Sequence, residues 1–341
     1  MGDTVVMRNY RLPDGVEIVS HEDDVIQLRM SVPDDDAGQI GRRCPSCERM
    51  FRVDVEDYKS LPEDQQLTCP YCCLVHDNGD FLTQQQQARA TAAIGELGRQ
   101  MAIDAIGSAF QNMARQVNKP GSMIRLDVST PSGREQVRPL PDIVEEAPIR
   151  IRSCATCHLR YAVFGAHIAC PLCGVLPPLV VALDALDAQG VVLTHLETLP
   201  PEVLNPLREA GAIDRAAGDT LGTVVSVVET FLKGTFAVRV VGAVALTAGK
   251  GNIFQRLPDA AQLFATHAVG DLPAILGPDR WDQLRELYAR RHVLTHNNGV
   301  VDQKFLAACP RTNLVLGQRV NVSLVDGRAA LQLGRDLIVG V

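Results

Sequence analysis

The chain has 341 residues, 46% of them hydrophobic and 21% charged, with a formal net charge of −7. Such a length accommodates two or three modules of about 100 to 200 residues each, and the composition is that of a folded chain. The acidic balance excludes indiscriminate coating of nucleic acid, so any such binding must come from a local basic patch or a cleft.

Residues 1–80 are read as N-terminal strands followed by a first zinc ribbon. Val16 and Ile18, then Val25, Ile26 and Leu28, alternate with polar residues and predict one or two strands. No basic, apolar leader opens the chain at Met1-Gly2-Asp3, and the best apolar run, residues 240–248, is too short to span a bilayer. A cytoplasmic protein with no membrane partner is therefore expected.

Nine of the ten cysteines fall in two groups, and eight of them form C-x2-C knuckles. Cys44 and Cys47 pair with Cys69 and Cys72 in the first group; Cys154 and Cys157 pair with Cys170 and Cys173 in the second. Two knuckles supply four thiolates, a closed tetrahedral set suited to a structural zinc with no open position for water. In a reducing compartment this spacing reads as metal binding rather than as disulfides. Two zinc ions are expected. Cys73 could stand in for Cys72, and His158 or His167 for a thiolate of the second group, although ligation by cysteine alone is simpler.

Residues 81–118 predict one long helix with a stripe through Ile94, Leu97, Met101, Ala105, Ala109 and Met113, packed on another element or on a partner chain. Proline-rich residues 119–148 read as a linker, in which residues 124–128 could form an edge strand. The second ribbon spans residues 149–176. Arg150, Arg152 and Arg160 lie near it, with no acid between Glu146 and Asp184, a local basic surface that could meet phosphates. The first ribbon mixes both signs of charge.

Residues 177–310 carry helical periodicity. Pro177 and Pro178 open a helix through Val181, Leu183 and Leu186, and Gly218-Asp219-Thr220 precedes an apolar helix over residues 221–236. A short helical pattern through Leu263 and Phe264 follows, then a helix with a cap-like Asp279 and apolar positions Trp281, Leu284, Leu287 and Tyr288. Residues 302–308 read as a short helix ended by Pro310. Residues 311–341 predict a strand over 319–324 and a helix from Gly327. His195 and His267 sit in no motif, and Cys309 reads as a small buried apolar residue.

The most informative stretch is Arg291-His292-Val293-Leu294-Thr295-His296-Asn297-Asn298-Gly299. It places a permanent cation and a group titrating near neutrality at a helix end, a combination suited to phosphodiester chemistry. Spacing of five turns the two side chains about 140° apart on a helix. They converge only if the helix breaks between them or a second chain completes the site. This segment resembles the HEPN superfamily, whose RNA-cleaving members carry an arginine, a polar residue and then a histidine a few positions on. Arg291, His292 and His296 fit that pattern, while Arg290 offers a second frame. The resemblance covers roughly residues 177–310.

It implies an all-α helical bundle and a metal-independent endoribonuclease acting as a homodimer on RNA. His296 would transfer protons, Arg291 would stabilise charge, Asn297 would orient the histidine or substrate, and Arg290 and His292 would contact RNA. The products would end in 2′,3′-cyclic phosphate. The implied setting is a bacterial toxin or phage defence, with an antitoxin or regulatory protein as a further partner. The expected fold class is α+β: two zinc ribbons of short hairpins with a long helix, then the bundle. The alternative is a non-catalytic zinc-ribbon binding or sensing protein with a dimerising helical domain. A transcription-associated ribbon factor is a weaker reading, because no recognition helix or basic region is evident.

Overall fold

The computed structural model describes residues 10–22, 25–62, 64–120, 125–127, 137–146, 148 and 150–341. The opening residues and two positions of the expected edge strand, Ile124 and Val128, lie outside them; Arg125 to Asp127 between those two form no strand. The fold is mixed α and β, with short hairpins and long helices. Two compact units divide it. One runs to Phe164 and takes in Ala169–Gly174; the other comprises Gly165–Ile168 and Val175–Val341.

In the first unit, where one or two strands are expected, β1 (Val16–Glu22) and β2 (Val25–Met30) pair as an antiparallel hairpin. The ribbons supply β3 (Gln39–Arg43), β4 (Met50–Asp54), α1 (Val55–Lys59), β5 (Gln66–Thr68) and β6 (Val75–Asp77). A long helix, α2 (Gln84–Val117), precedes β7 (Ile151–Ser153), β8 (Arg160–Val163), β9 (Ala169–Cys170) and β10 (Gly174–Val175).

The two ribbons, far apart in sequence, share one four-stranded sheet in the order β3-β4-β8-β7. Across its centre Phe51 faces Val163, Arg52 faces Ala162 and Val53 faces Tyr161. Counting from the first cysteine of each ribbon, Phe51 corresponds to Tyr161, Arg52 to Ala162 and Val53 to Val163. The register is therefore that of a twofold axis through the Arg52–Ala162 pair. A second reciprocal contact repeats it: Thr68 N–H donates to Pro171 O at 2.7 Å, and Ala169 N–H to Pro70 O at 3.1 Å. Phe51, Val53, Tyr161 and Val163 are all buried, so each ribbon supplies the apolar partner surface that so small a module lacks on its own.

Helix α2 begins with a capping box between Thr83 and Gln86. Its buried face is Gln86, Ala93, Glu96, Leu97 and Gln100. The expected stripe departs from this, because Ile94, Met101 and Met113 are exposed; helical spacing marks a face but not what covers it.

The second unit holds α3 (Pro178–Glu197), α4 (Pro201–Glu209), α5 (Ala212–Arg239), α6 (Ala243–Thr247) and α7 (Leu257–Thr266), then α8 (Leu272–Leu276), α9 (Pro278–His296), α10 (Gln303–Ala308) and α11 (Leu324–Gly340). Helix α5 is central, with Leu221, Val224, Val228, Leu232 and Phe236 buried against α3, α9 and α11. It starts earlier than Gly218, the expected entry point. Gly218 and Gly222 are interior helical residues, kept helical by packing despite their low propensity. On α11, a Cβ at Gly334 would meet Val224 Cγ1 at 2.9 Å, so glycine sets how closely α11 approaches α5.

The expected strand over 319–324 reduces to a single bridge between Val300 and Arg319. Helix α11 starts at Leu324, ahead of Gly327, because Ser323 and Asp326 form a capping box. Helices α3 and α5 are each long and apolar enough to cross a membrane by length and composition, which corrects the narrower reading of residues 240–248. Buried core helices pass the same test, and α5 contributes more buried residues than any other helix of this unit.

Candidate functional site

The cysteine clusters are built from one repeated turn. Cys44, Cys69 and Cys154 donate their N–H groups to the carbonyls of Arg49, Leu74 and Leu159, and accept in return from the N–H groups of Glu48, Cys73 and His158. The residue after each second cysteine has positive φ: Glu48 at 60°, Cys73 at 60°, His158 at 63° and Gly174 at 83°. In the first three turns, that left-handed residue folds the chain back so that the carbonyl of the next residue meets the N–H of the first cysteine. Backbone N–H groups of Ser46 and Cys47 point to Cys44 Sγ, that of Tyr71 to Cys69 Sγ and that of Leu172 to Cys170 Sγ, as negative sulfur requires.

Within each cluster the ligand atoms all lie within 4.8 Å of one another. Sγ–Sγ separations are 3.7 Å for Cys44–Cys72, 3.6 Å for Cys47–Cys69, 3.4 Å for Cys154–Cys173 and 3.6 Å for Cys157–Cys170. A tetrahedral ion with metal–sulfur bonds of about 2.3 Å has an edge of about 3.8 Å, whereas a disulfide needs about 2.05 Å. The eight predicted cysteines fit two metal ions. The alternatives have other positions: Cys73 and His158 are the left-handed residues of their turns, and His167 Nδ1 lies 3.2 Å from Asp184 Oδ2.

The basic residues proposed around the second ribbon are engaged. Arg160 donates its backbone N–H and Nε to Asp57 Oδ2 and its Nη2 to Asp54 Oδ1 at 2.7 Å. These bonds from Arg160 hold the Asp57 carboxyl below the usual carboxylate range. Arg152 Nη1 reaches the Arg150 carbonyl at 3.5 Å, and both residues have further contacts.

Helix α9 runs unbroken from Pro278 to His296 and ends where the Asn-Asn-Gly break predicts. Asn298 and Gly299 have φ of 50° and 76°, and Asn297 and Gly299 both donate their N–H groups to Val293 O. Arg290 is taken by Glu286, with Nη2 2.8 Å from Oε1, leaving Arg291 as the arginine open to a ligand. Asn297 Nδ2 donates to Val300 O at 2.6 Å, a bond that caps the turn and does not reach His296. The rings of His292 and His296 lie 5.0 Å apart. Burial, with Lys304 and His296 nearby, pushes the His292 pKa down. His296 is exposed.

Arg291 lies on another face, where it lines a cleft of about 1660 Å³ formed within the helical unit by α3, α5, the end of α9 and residues 319–322. Arg215 and Arg319 line the same cleft. Among the described residues, none of these three side chains has a hydrogen-bond or ion-pair partner. By contrast, Arg239, Arg256, Arg280, Arg285, Arg290, Arg311, Arg328 and Arg335 all do. The chain after the motif fixes Arg319 in place: Val320 N–H donates to Gly299 O at 2.8 Å and Val301 N–H to Gln318 O at 2.9 Å. Asp214 and Asp219 also line the cleft. Arg215 and Arg319 carried no signal in the sequence, because only the packing of α5 against the end of α9 assembles them.

Cys309 is buried, and burial pushes its thiol up to about 11, which fits its reading as an inert apolar residue. His195 and His267 have local roles, the first bonded to Val191 O at 2.8 Å and the second edge-on to Phe236.

Comparison with protein-family models, curated proteins and solved structures found no match. The functional reading therefore stands on the residues of the site.

Proposed function

We propose that this protein is a metal-independent endoribonuclease of HEPN type, active as a homodimer, with a structural zinc ion in each four-cysteine cluster. One observation carries the nuclease reading. The Arg291 side chain lines a cleft with no hydrogen-bond or ion-pair partner among the described residues, whereas the adjacent Arg290 is held by Glu286, and the same helix presents an exposed His296 at its end. In the proposed reaction His296 takes the proton of an RNA 2′-hydroxyl, whose oxygen attacks the adjacent phosphorus. The bond from phosphorus to the 5′-oxygen breaks, that oxygen takes up a proton, and a 2′,3′-cyclic phosphate remains. The Arg291 guanidinium holds the charge that builds on the phosphoryl oxygens.

Because α9 is continuous, Arg291 and His296 of one chain point about 140° apart. The proposal accordingly places the arginine of one chain against the histidine of its partner. Zinc closes both clusters and takes no part in the chemistry. By resemblance, the setting would be a toxin or phage defence, restrained by an antitoxin or regulatory protein.

The test is incubation of end-labelled RNA with zinc-loaded protein in EDTA, beside His296→Ala and Arg291→Ala. Cleavage by the parent alone, with cyclic-phosphate ends, supports the reading; a requirement for added magnesium overturns it. The divergence of the pair within one chain favours a second reading, a ribbon protein that binds RNA without cutting it. Intact dimers that bind RNA and never cleave it would establish that reading instead.

A further inference from the structure

We infer that the cleft of the helical unit is a track for an RNA strand, with Arg215 and Arg319 as phosphate-holding residues beside Arg291. The inference deepens the nuclease proposal and rests on it for the identity of the ligand as RNA. Four arginines of this unit, Arg208, Arg215, Arg291 and Arg319, have side chains with no hydrogen-bond or ion-pair partner among the described residues, and three of the four line this one cleft. Solvated surface arginines would scatter over the unit. Here they come from three separate elements, the start of α5, the end of α9 and the segment before α11.

Guanidinium groups present planar forks of donors suited to phosphate oxygens. Three of them, brought to one large cleft by three separate elements, suit charges spaced along a backbone better than the clustered phosphates of one nucleotide. Size agrees. At about 1660 Å³ the cleft exceeds the range of roughly 300 to 1,000 Å³ typical of small-molecule pockets.

The rest of the lining suits a strand as well. On α5, Gly218, Gly222 and Ser226 face the cleft, and their small side chains let a backbone come close. Ile168 and Val175 line it with 44% and 74% of their surfaces exposed, apolar ground on which unpaired bases can lie. Asp214 and Asp219 offset part of the positive charge. The lining is therefore only mildly basic, and binding should be sensitive to salt.

The experiment uses full-length, zinc-loaded protein carrying His296→Ala, so that the RNA is not consumed. A fluorescein-labelled single-stranded RNA is titrated by anisotropy over a range of salt, with Arg215→Ala, Arg319→Ala and Arg208→Ala added singly. Arg208 is equally unpaired but outside the cleft, and serves as the control. Each cleft variant is expected to weaken binding roughly threefold and to lower the salt slope by about 0.7, as one lost phosphate contact on a single strand does. Arg208→Ala should bind like its parent. Circular dichroism of each variant checks the fold, and Arg215→Lys and Arg319→Lys should recover part of the affinity.

Equal binding by all three alanine variants overturns the inference. So does competition by a free nucleoside triphosphate as tight as that of the RNA, which would make the cleft a nucleotide pocket. The two proposals fail separately. Cleavage that persists in His296→Ala removes His296 and the proposed HEPN-type mechanism and leaves the track, whereas cleavage lost in His296→Ala with unaltered binding by the arginine variants does the reverse.

Discussion

Arg291 and His296 lie on one uninterrupted helix, with the arginine in a cleft and the histidine on an exposed face about 140° away. A site that needs both must take one from each of two chains. Arg291→Ala and His296→Ala should therefore be inactive alone and complement each other when mixed and allowed to exchange subunits. With random exchange, half the dimers are mixed and each has one intact site of two, so about one quarter of the parental sites return in a twofold dimer. RNA cleavage by the mixture measures this. No recovery after verified exchange would count against a shared site.

The cysteine clusters predict a sharp split between ligand and neighbour. Cys72→Ser should reduce bound zinc from two ions per chain to one, as measured by elemental analysis. Cys73→Ser should keep both, because Cys73 supplies the left-handed turn and no ligand. Cys73→Gly should keep both and be the more stable of the two, since glycine adopts φ near 60° without a Cβ penalty. A one-ion Cys73→Ser protein would show that Cys73 is a ligand.

The knuckles were legible because C-x2-C is local: its spacing alone puts two sulfurs on one side of a turn. The pairing of the ribbons was not, although a faint repeat exists, Cys44-x2-Cys47-x3-Phe51-x-Val53 against Cys154-x2-Cys157-x3-Tyr161-x-Val163. Its meaning depends on β4 meeting β8 across a long chain separation. The end of α9 was legible in Asn297, Asn298 and Gly299 for the same local reason. Arg215 and Arg319 were not, since nothing near either residue distinguishes an arginine facing a cleft from one facing solvent. Arg160 misled because its acidic partners, Asp54 and Asp57, lie in the other ribbon.

Arg52, at the axis of the ribbon pair, should be intolerant of truncation. It is 4% exposed, pairs with Asp35 at 2.7 Å and donates to the carbonyls of Glu145 and Glu146. Arg52→Ala strands a carboxylate and two carbonyl groups, and breaking a buried pair in this way costs about 3 to 5 kcal/mol. Urea unfolding followed by far-ultraviolet circular dichroism should show an early transition for the ribbon unit. A loss below about 1 kcal/mol would mean that the surrounding groups find water instead.

The fork between Arg328 on α11 and Glu197 on α3 should give the helical unit a pH-dependent stability. Arg328 Nε lies 3.1 Å from Glu197 Oε1 and Nη2 lies 2.8 Å from Oε2, while Nη2 also donates to Thr194 Oγ1 at 2.6 Å. The hydrogen bond from Arg328 holds the Glu197 carboxyl below its ordinary range. A carboxyl with a lowered folded pKa stabilises the fold above its unfolded value of about 4.3, and that stability disappears as pH falls through the folded value. Both side chains are over a third exposed, so solvent screening keeps the effect to about 1 kcal/mol or less. The single tryptophan, Trp281, packs against the helical core, so its fluorescence reports this unit during urea unfolding. Glu197→Gln should be less stable than the parent at pH 7, and the difference should shrink steadily below about pH 4. A difference that stays constant down to acid pH would mean that Glu197 acts through packing, and that its charge contributes nothing.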